Sequence, residues 1–440
     1  MMLRSPVFWL VLLLAAFLAL FSLFHRSALP PGNPPAESPA PLGYFSAIGR
    51  VVDATTGKPL REAFVTLDGR LTLQTNEDGL FPLRPSVSRI AARAYGYSRE
   101  EHLLSTNTVK SAVELRLRPV RPKALYLTVY GIGSKALREK ALQLIEATEL
   151  NALVIDVKGD RGIIPYKSSL PLASSIGAQR MITVKDIRGL LQSLKERGIY
   201  TIARIVVFKD ELLGTARPDL AIKTGDGKIW RDRENLIWLD PSRKEVWDYV
   251  ISVAVEAAQS GFDEIQFDYV RFPDHKGLVF NVPNTEENRI GAISGFLGEA
   301  RKRLAPYNVF IAADIFGYVA WNLDDTQIGQ KIDRLAPFVD YLSLMLYPSG
   351  FQHGIPRYRN PVANSHKIVY LTLKRAQERT GLPAVRFRPW LQAFRDYAFD
   401  RRHFRGREIR EQIRAAEDFG ANGWMLWNPR NIYTSDGLEK

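Results

Sequence analysis

Two aspartates have the setting that chemistry needs. Asp268 sits in the stretch 261–273, Gly-Phe-Asp-Glu-Ile-Gln-Phe-Asp-Tyr-Val-Arg-Phe-Pro, and Asp314 sits in 313–318, Ala-Asp-Ile-Phe-Gly-Tyr. Each carboxylate interrupts an apolar, strand-like run, where burial is costly without partners. Strand alternation puts Gln266 and Asp268 on one face and Ile265, Phe267 and Tyr269 on the other. A pair of carboxylates at neighbouring strand ends suits cleavage of a glycosidic bond. One protonates the leaving oxygen; the other attacks the sugar or activates water.

Other strand-like runs carry polar or aromatic residues on one parity. They give Asp156, Lys158 and Asp160; Arg204; Ser343 and Tyr347; and Arg386, Arg388, Trp390 and Gln392. The opposite parity is apolar, as in Leu153, Ile155 and Val157, or Leu342, Leu344 and Leu346. Asp156, Lys158, Asp160, Arg204, Gln266, Tyr347, Arg388, Trp390, Gln392 and Trp427 are therefore candidate substrate-binding residues. Lys158 and Arg204 could steer anionic groups or lower nearby carboxylate pKa values. The aromatic candidates could stack on sugar rings.

These residues need elements to hold them. From residue 123 onward, strand patterns at 125–130, 152–158, 200–208, 265–271, 309–316, 341–347, 385–391 and 423–427 alternate with helical patterns. The helices are expected at 134–149, 183–197, 242–260, 285–304, 325–335, 363–379 and 406–419. Near-continuous apolar strands separated by helices imply a parallel sheet. Eight of them imply a (β/α)8 TIM barrel, with its active site at the C-terminal strand ends. A doubly wound open sheet is the alternative, but no GxGxxG opens the first unit.

The N-terminal part is different. Residues 7–24 are an uncharged apolar run near the lower length limit of a membrane span. They predict a signal anchor or transmembrane helix over residues 1–27, with the remainder exported. Secretion after signal cleavage is the alternative. Residues 28–43 hold six prolines and read as an extended linker. Residues 44–119 carry short β-type runs with Asp-Gly turns and predict a small β-sandwich. The fold class is thus α/β, with the barrel over residues 122–440. The chain has no cysteine, which excludes disulfides and thiol chemistry, and its six histidines form no HExxH motif. No metal or cofactor is expected. The net charge of +13 favours anionic partners or surfaces, but nucleic acid does not suit an exported chain.

Two resemblances sharpen these expectations. Residues 49–60, 63–65, 75–81 and 95–97 resemble the carboxypeptidase regulatory-like, transthyretin-like domain, which implies a structural or binding module; because residues 44–119 carry no paired acids or histidines, deleting them is expected to leave turnover of a small soluble glycan largely intact. Residues 122–432 resemble the glycoside hydrolase-like barrel family described as a domain of unknown function. The stretches that carry this are 151–160, 267–273, 313–318, 345–349, 388–392 and 423–427. That family is distantly similar to α-amylase-type barrels. The resemblance implies a nucleophile at Asp268 on the fourth strand and an acid/base at Asp314 on the fifth. The expected protein is a membrane-anchored, extracytoplasmic glycosidase acting on a cell-envelope or secreted polysaccharide. A non-catalytic glycan-binding barrel and an envelope assembly component are the alternatives.

Overall fold

A computed structural model describes residues 47–84, 86–104 and 113–440. The apolar run at 7–24 and the linker at 28–43 lie outside the described residues. Among the described residues no helix is long and apolar enough to cross a membrane.

Among the described residues seven short strands form the N-terminal sandwich: β1 (Ala47–Asp53), β2 (Phe64–Leu67), β3 (Leu71–Gln74), β4 (Leu80–Leu83), β5 (Arg89–Arg93), β6 (Glu100–Leu103) and β7 (Val113–Leu117). They pair as β4-β1-β7 and β3-β2-β5-β6. Val51, Val65, Phe81, Ile90 and Leu115 fill the space between the two sheets.

The barrel strands follow: β8 (Lys123–Leu127), β9 (Ala152–Lys158), β10 (Tyr200–Val206), β12 (Glu264–Asp268), β14 (Phe310–Phe316), β15 (Tyr341–Met345), β16 (Trp390–Gln392) and β17 (Trp424–Trp427). Two-residue strands β11 (Lys223–Thr224) and β13 (Leu278–Val279) pair with each other outside the barrel. The eight barrel strands close in the order β10-β12-β14-β15-β16-β17-β8-β9, with every neighbouring pair parallel. The two faces read as the alternation predicts. Leu153, Ile155, Ile265, Phe267, Leu342 and Leu344 pack under the helices. Ala124, Tyr126, Val154, Ile202, Ala312 and Met425 fill the interior.

Several helices start and stop where their caps demand. The helix Lys135–Ala147 begins at Ser134, whose hydroxyl accepts from Leu137 N–H. The helix Glu286–Leu304 begins at Thr285, whose hydroxyl accepts from Asn288 N–H. The helix Lys244–Ser260 ends on Gly261 at φ 114°. Other elements are shorter than expected. The first strand ends at Leu127, because Thr128 caps a helical turn, Val129–Gly133. The helix expected at 325–335 is only Ile332–Leu335. Asp325 instead folds its own loop, accepting from Gln327 and Gly329 N–H and from Arg289. The seventh strand is only Trp390–Gln392, since Pro389 breaks the run that precedes it.

The sandwich closes the barrel at the N-terminal ends of its strands. Arg93 reaches Asp340 at 3.3 Å, both side chains being buried. The Asn308 amide donates to Thr66 Oγ1 at 2.9 Å and to Phe64 O at 3.1 Å. Tyr95 meets Tyr341 edge to face, with ring centres 6.2 Å apart. Residues 47–440 form one compact unit.

Candidate active site

Along β12 the inward side chains form three levels. At the base Glu264 accepts from Arg388 Nη1 at 2.6 Å and from Tyr200 OH at 3.0 Å. In the middle the Gln266 amide donates to Ser343 Oγ at 3.1 Å. At the top Asp268 lines a cleft of about 230 Å³ at the C-terminal ends of the strands. The chain then leaves the strand abruptly: Tyr269 has φ 50°, a left-handed conformation that is rare for an aromatic residue. Strain of this kind clusters at functional sites, where surrounding structure enforces it.

Arg204 on β10 is the hub of the cleft floor. Its Nε donates to Asp268 Oδ2 at 2.9 Å, and its Nη1 donates to Asp156 Oδ1 at 2.6 Å. The other Asp268 oxygen accepts from Tyr269 N–H at 2.6 Å. Asp156 also accepts from Tyr126 OH at 2.7 Å. Tyr126 stacks on Trp427 with ring centres 4.0 Å apart, and Trp427 lies 4.8 Å from the Arg204 guanidinium. Burial pushes the Asp156 carboxyl above its usual range, against the pull of Arg204.

Asp314 lies on the inward face of the adjacent strand β14. It is fully buried and does not line the cleft; Phe316, two residues further along the same face, does. Its Oδ1 accepts from Trp390 Nε1 at 2.7 Å, while Oδ2 has no hydrogen-bond partner among the described residues. Burial, followed by the charge of Asp268, pushes the Asp314 carboxyl well above the usual carboxylate range. The site therefore holds two carboxylates in unlike settings. Asp268 is ion-paired and lines the cleft, whereas Asp314 is fully buried behind it.

Of the candidate residues, Arg204, Asp268, Tyr347 and Trp427 line the cleft. Asp156, Trp390 and Asp314 stand directly behind this lining. Gln266 lies one level lower, bonded to Ser343. Four expectations are corrected. Lys158 is buried in an ion pair with Asp210 at 2.8 Å and donates to Val206 O at 2.8 Å. A register shift in the β9–β10 pairing falls between Asp156 and Lys158 and breaks the simple alternation. Asp160 sits half-buried on the turn after β9, outside the cleft. Arg388 precedes its strand and therefore lies at the barrel base. Gln392 is fully buried, donating to Ser349 Oγ at 2.7 Å and accepting from Ser349 N–H at 3.0 Å.

The cleft also takes residues outside the candidate set, of which strand parity marks Phe316. Phe316, Tyr318, Phe351 and Tyr397 form an aromatic wall, and Arg271 lies at its edge. Gly317 lets this wall close, because a Cβ there would meet the Phe351 ring at 2.4 Å and Met345 O at 2.9 Å. Most of these residues sit in loops, where no periodicity reveals them. Arg271 did carry a signal, since it belongs to the Phe-Asp-Tyr-Val-Arg-Phe-Pro stretch that ends the fourth strand. Among the described residues no group of three or more His, Asp or Glu is placed to hold a metal ion.

A hypothetical protein from Ruminiclostridium thermocellum is 40% identical to this chain, with a TM-score of 0.39. The match covers 43% of this chain and 96% of that one. The glycoside hydrolase domain of PgaB (BpsB) from Bordetella bronchiseptica shares the fold at 14% identity and a TM-score of 0.52. It covers 71% of this chain and 95% of that one. The spore cortex-lytic enzyme SleL from Bacillus megaterium is 13% identical, with a TM-score of 0.43, over 74% of this chain and 75% of that one. No curated protein matches this chain. Residues 124–433, which include every strand of the barrel except the first residue of β8, match the family described as "Putative glycosyl hydrolase domain", and the chain belongs to that family.

Proposed function

We propose that this protein cleaves glycosidic bonds in a cell-envelope or extracellular polysaccharide, with Asp268 and Asp314 as its carboxylate pair. Asp314 supplies a proton to the leaving oxygen, and Asp268 attacks the anomeric carbon or activates a water. One observation carries this reading: two carboxylates on adjacent barrel strands have unlike environments, Asp268 ion-paired to Arg204 at the cleft and Asp314 fully buried behind it. Burial and the Asp268 charge favour the neutral, proton-donating form of Asp314. Asp268 meets the Arg204 guanidinium and the Tyr269 N–H and lines the cleft. The aromatic wall adds faces on which sugar rings can stack, with Phe316 and Tyr397 the most exposed. We also propose that residues 7–24 anchor the chain in a membrane with the barrel outside the cytoplasm, from their apolar composition alone.

A second reading, glycan binding without cleavage, draws on the full burial of Asp314. Both Asp268 oxygens are also already engaged by protein donors. The test is a screen of residues 44–440 against a glycan panel, read by release of reducing ends and by equilibrium binding. Release that depends on Asp268 supports the hydrolase. Binding with no release favours the second reading, and neither would refute both.

A further inference from the structure

We infer that the cleft recognises an acidic sugar, with the Arg271 guanidinium pairing with its carboxylate; this rests on the glycan reading of the same cleft. Two cations line the cleft, Arg204 and Arg271. Arg204 already holds two carboxylates, Asp156 and Asp268. Arg271 has no carboxylate partner among the described residues. Among the described residues its one hydrogen-bond acceptor is the carbonyl of its neighbour Phe272, 3.0 Å from Nη1. A guanidinium carries five donors, so most of this fork is unused.

The aromatic surroundings hold the fork in place. The Arg271 guanidinium carbon lies 4.8 Å from the centre of Trp238, 5.1 Å from Phe316 and 5.5 Å from Tyr269. Trp238 is fixed in turn by its Nε1 donating to Asp232 at 2.9 Å. Aromatic faces attract the cation but accept none of its in-plane hydrogen bonds. Burial lowers the Arg271 pKa from its usual value, as expected for a charge drawn out of water without an ion-pair partner. A planar, pre-oriented fork matches a carboxylate in two-point contact. Tyr269, the strained residue next to Asp268, forms one side of this cage, so the acidic group would sit close to Asp268. Arg271 is proposed as a specificity residue, with no part in bond cleavage.

The experiment compares tetrasaccharides of galacturonate and of hyaluronan with their carboxyl-reduced, neutral counterparts. Binding is measured by titration calorimetry on residues 44–440, for the wild type, Arg271→Gln, Arg271→Lys and the exposed-surface control Arg61→Gln. The wild type should bind at least one acidic tetrasaccharide about tenfold or more tighter than its reduced form. Arg271→Gln should bring the two within about twofold, Arg271→Lys should fall between, and Arg61→Gln should match the wild type. Equal wild-type binding of both forms overturns the proposal, as does no binding of either acid. An equal loss for both forms in Arg271→Gln also overturns it, as does preference for a sulfated, uronate-free oligosaccharide. If Arg271→Gln fails to fold, the wild-type ratio and Arg271→Lys decide. Reducing-end release from the same sugars separates the two readings. Acid-selective binding without release keeps this inference and refutes hydrolysis, while equal release from acidic and reduced sugars does the reverse.

Discussion

Replacing Asp268 by Asn keeps the side-chain shape and removes its charge, so it separates structural cost from chemical cost. In the folded protein Asp268 Oδ2 accepts from Arg204 Nε at 2.9 Å and also from Nη2, while Oδ1 accepts from Tyr269 N–H. Asparagine offers one oxygen for these donors and turns an NH₂ group toward the rest. Charge-assisted hydrogen bonds contribute roughly 1.5–3 kcal/mol each, about twice a neutral one. Halving two of them costs about 1.5–3 kcal/mol. Breaking a buried pair outright costs about 3–5 kcal/mol, but Asp156 still holds Arg204 at 2.6 Å, so that upper range is not reached. Urea denaturation should show a loss of about 1.5–3 kcal/mol with an unchanged slope. On any sugar the wild type cleaves, turnover should fall by about a thousandfold or more, equivalent to about 4 kcal/mol of barrel-bound transition-state stabilisation. Asp156→Asn touches the same guanidinium without lining the cleft, so it should lose comparable stability and far less turnover. A stability loss below about 0.5 kcal/mol would refute the hub argument. Equal turnover losses in both variants would refute the distinction between the carboxylate in the cleft and the one behind it.

Asp314→Asn should change stability in a pH-dependent way. Its folded carboxyl is raised above the unfolded value of about 3.9 by burial and by Asp268. The protonated form therefore supports folding fully below that value, and the support is lost as pH rises toward the raised folded value, at about 1.4 kcal/mol for each tenfold difference in proton affinity. The variant should gain on the wild type as pH rises above about 4 in denaturation experiments, and a pH-independent difference would contradict the assignment. Deleting residues 47–119 should not leave a soluble, cooperative barrel, because it exposes Asp340, Tyr341 and Phe310 at the barrel base. A milder cut, Arg93→Met, should cost about 1–3 kcal/mol of stability in a single transition. Two independent unfolding transitions in the intact protein would show that the sandwich is only tethered.

Much of the barrel could be read from the chain because its signals are local. Strand periodicity is 2, and in a parallel barrel each outward residue must meet a helix, so apolar parity marks the outer layer. Ile265 and Phe267 go outward and Gln266 and Asp268 go inward for that reason alone. The turn signals Ser134, Thr285 and Gly261 act within a few residues and fixed their helix ends equally well. Parity, however, says which way a side chain points and nothing about its height along the barrel axis. Glu264, Gln266 and Asp268 share one parity and occupy three levels, of which only the last opens to the cleft. Arg388 shares the parity of Trp390 but lies at the base, because the strand register places it opposite Glu264. Lys158 was misread because a register shift, set by the neighbouring strand, breaks the alternation that parity assumes. The aromatic wall, the cage around Arg271 and the docking of the sandwich under the barrel join residues tens to hundreds of positions apart. Only the closed tertiary structure decides such contacts, because they depend on loop paths and strand stagger that carry no sequence period.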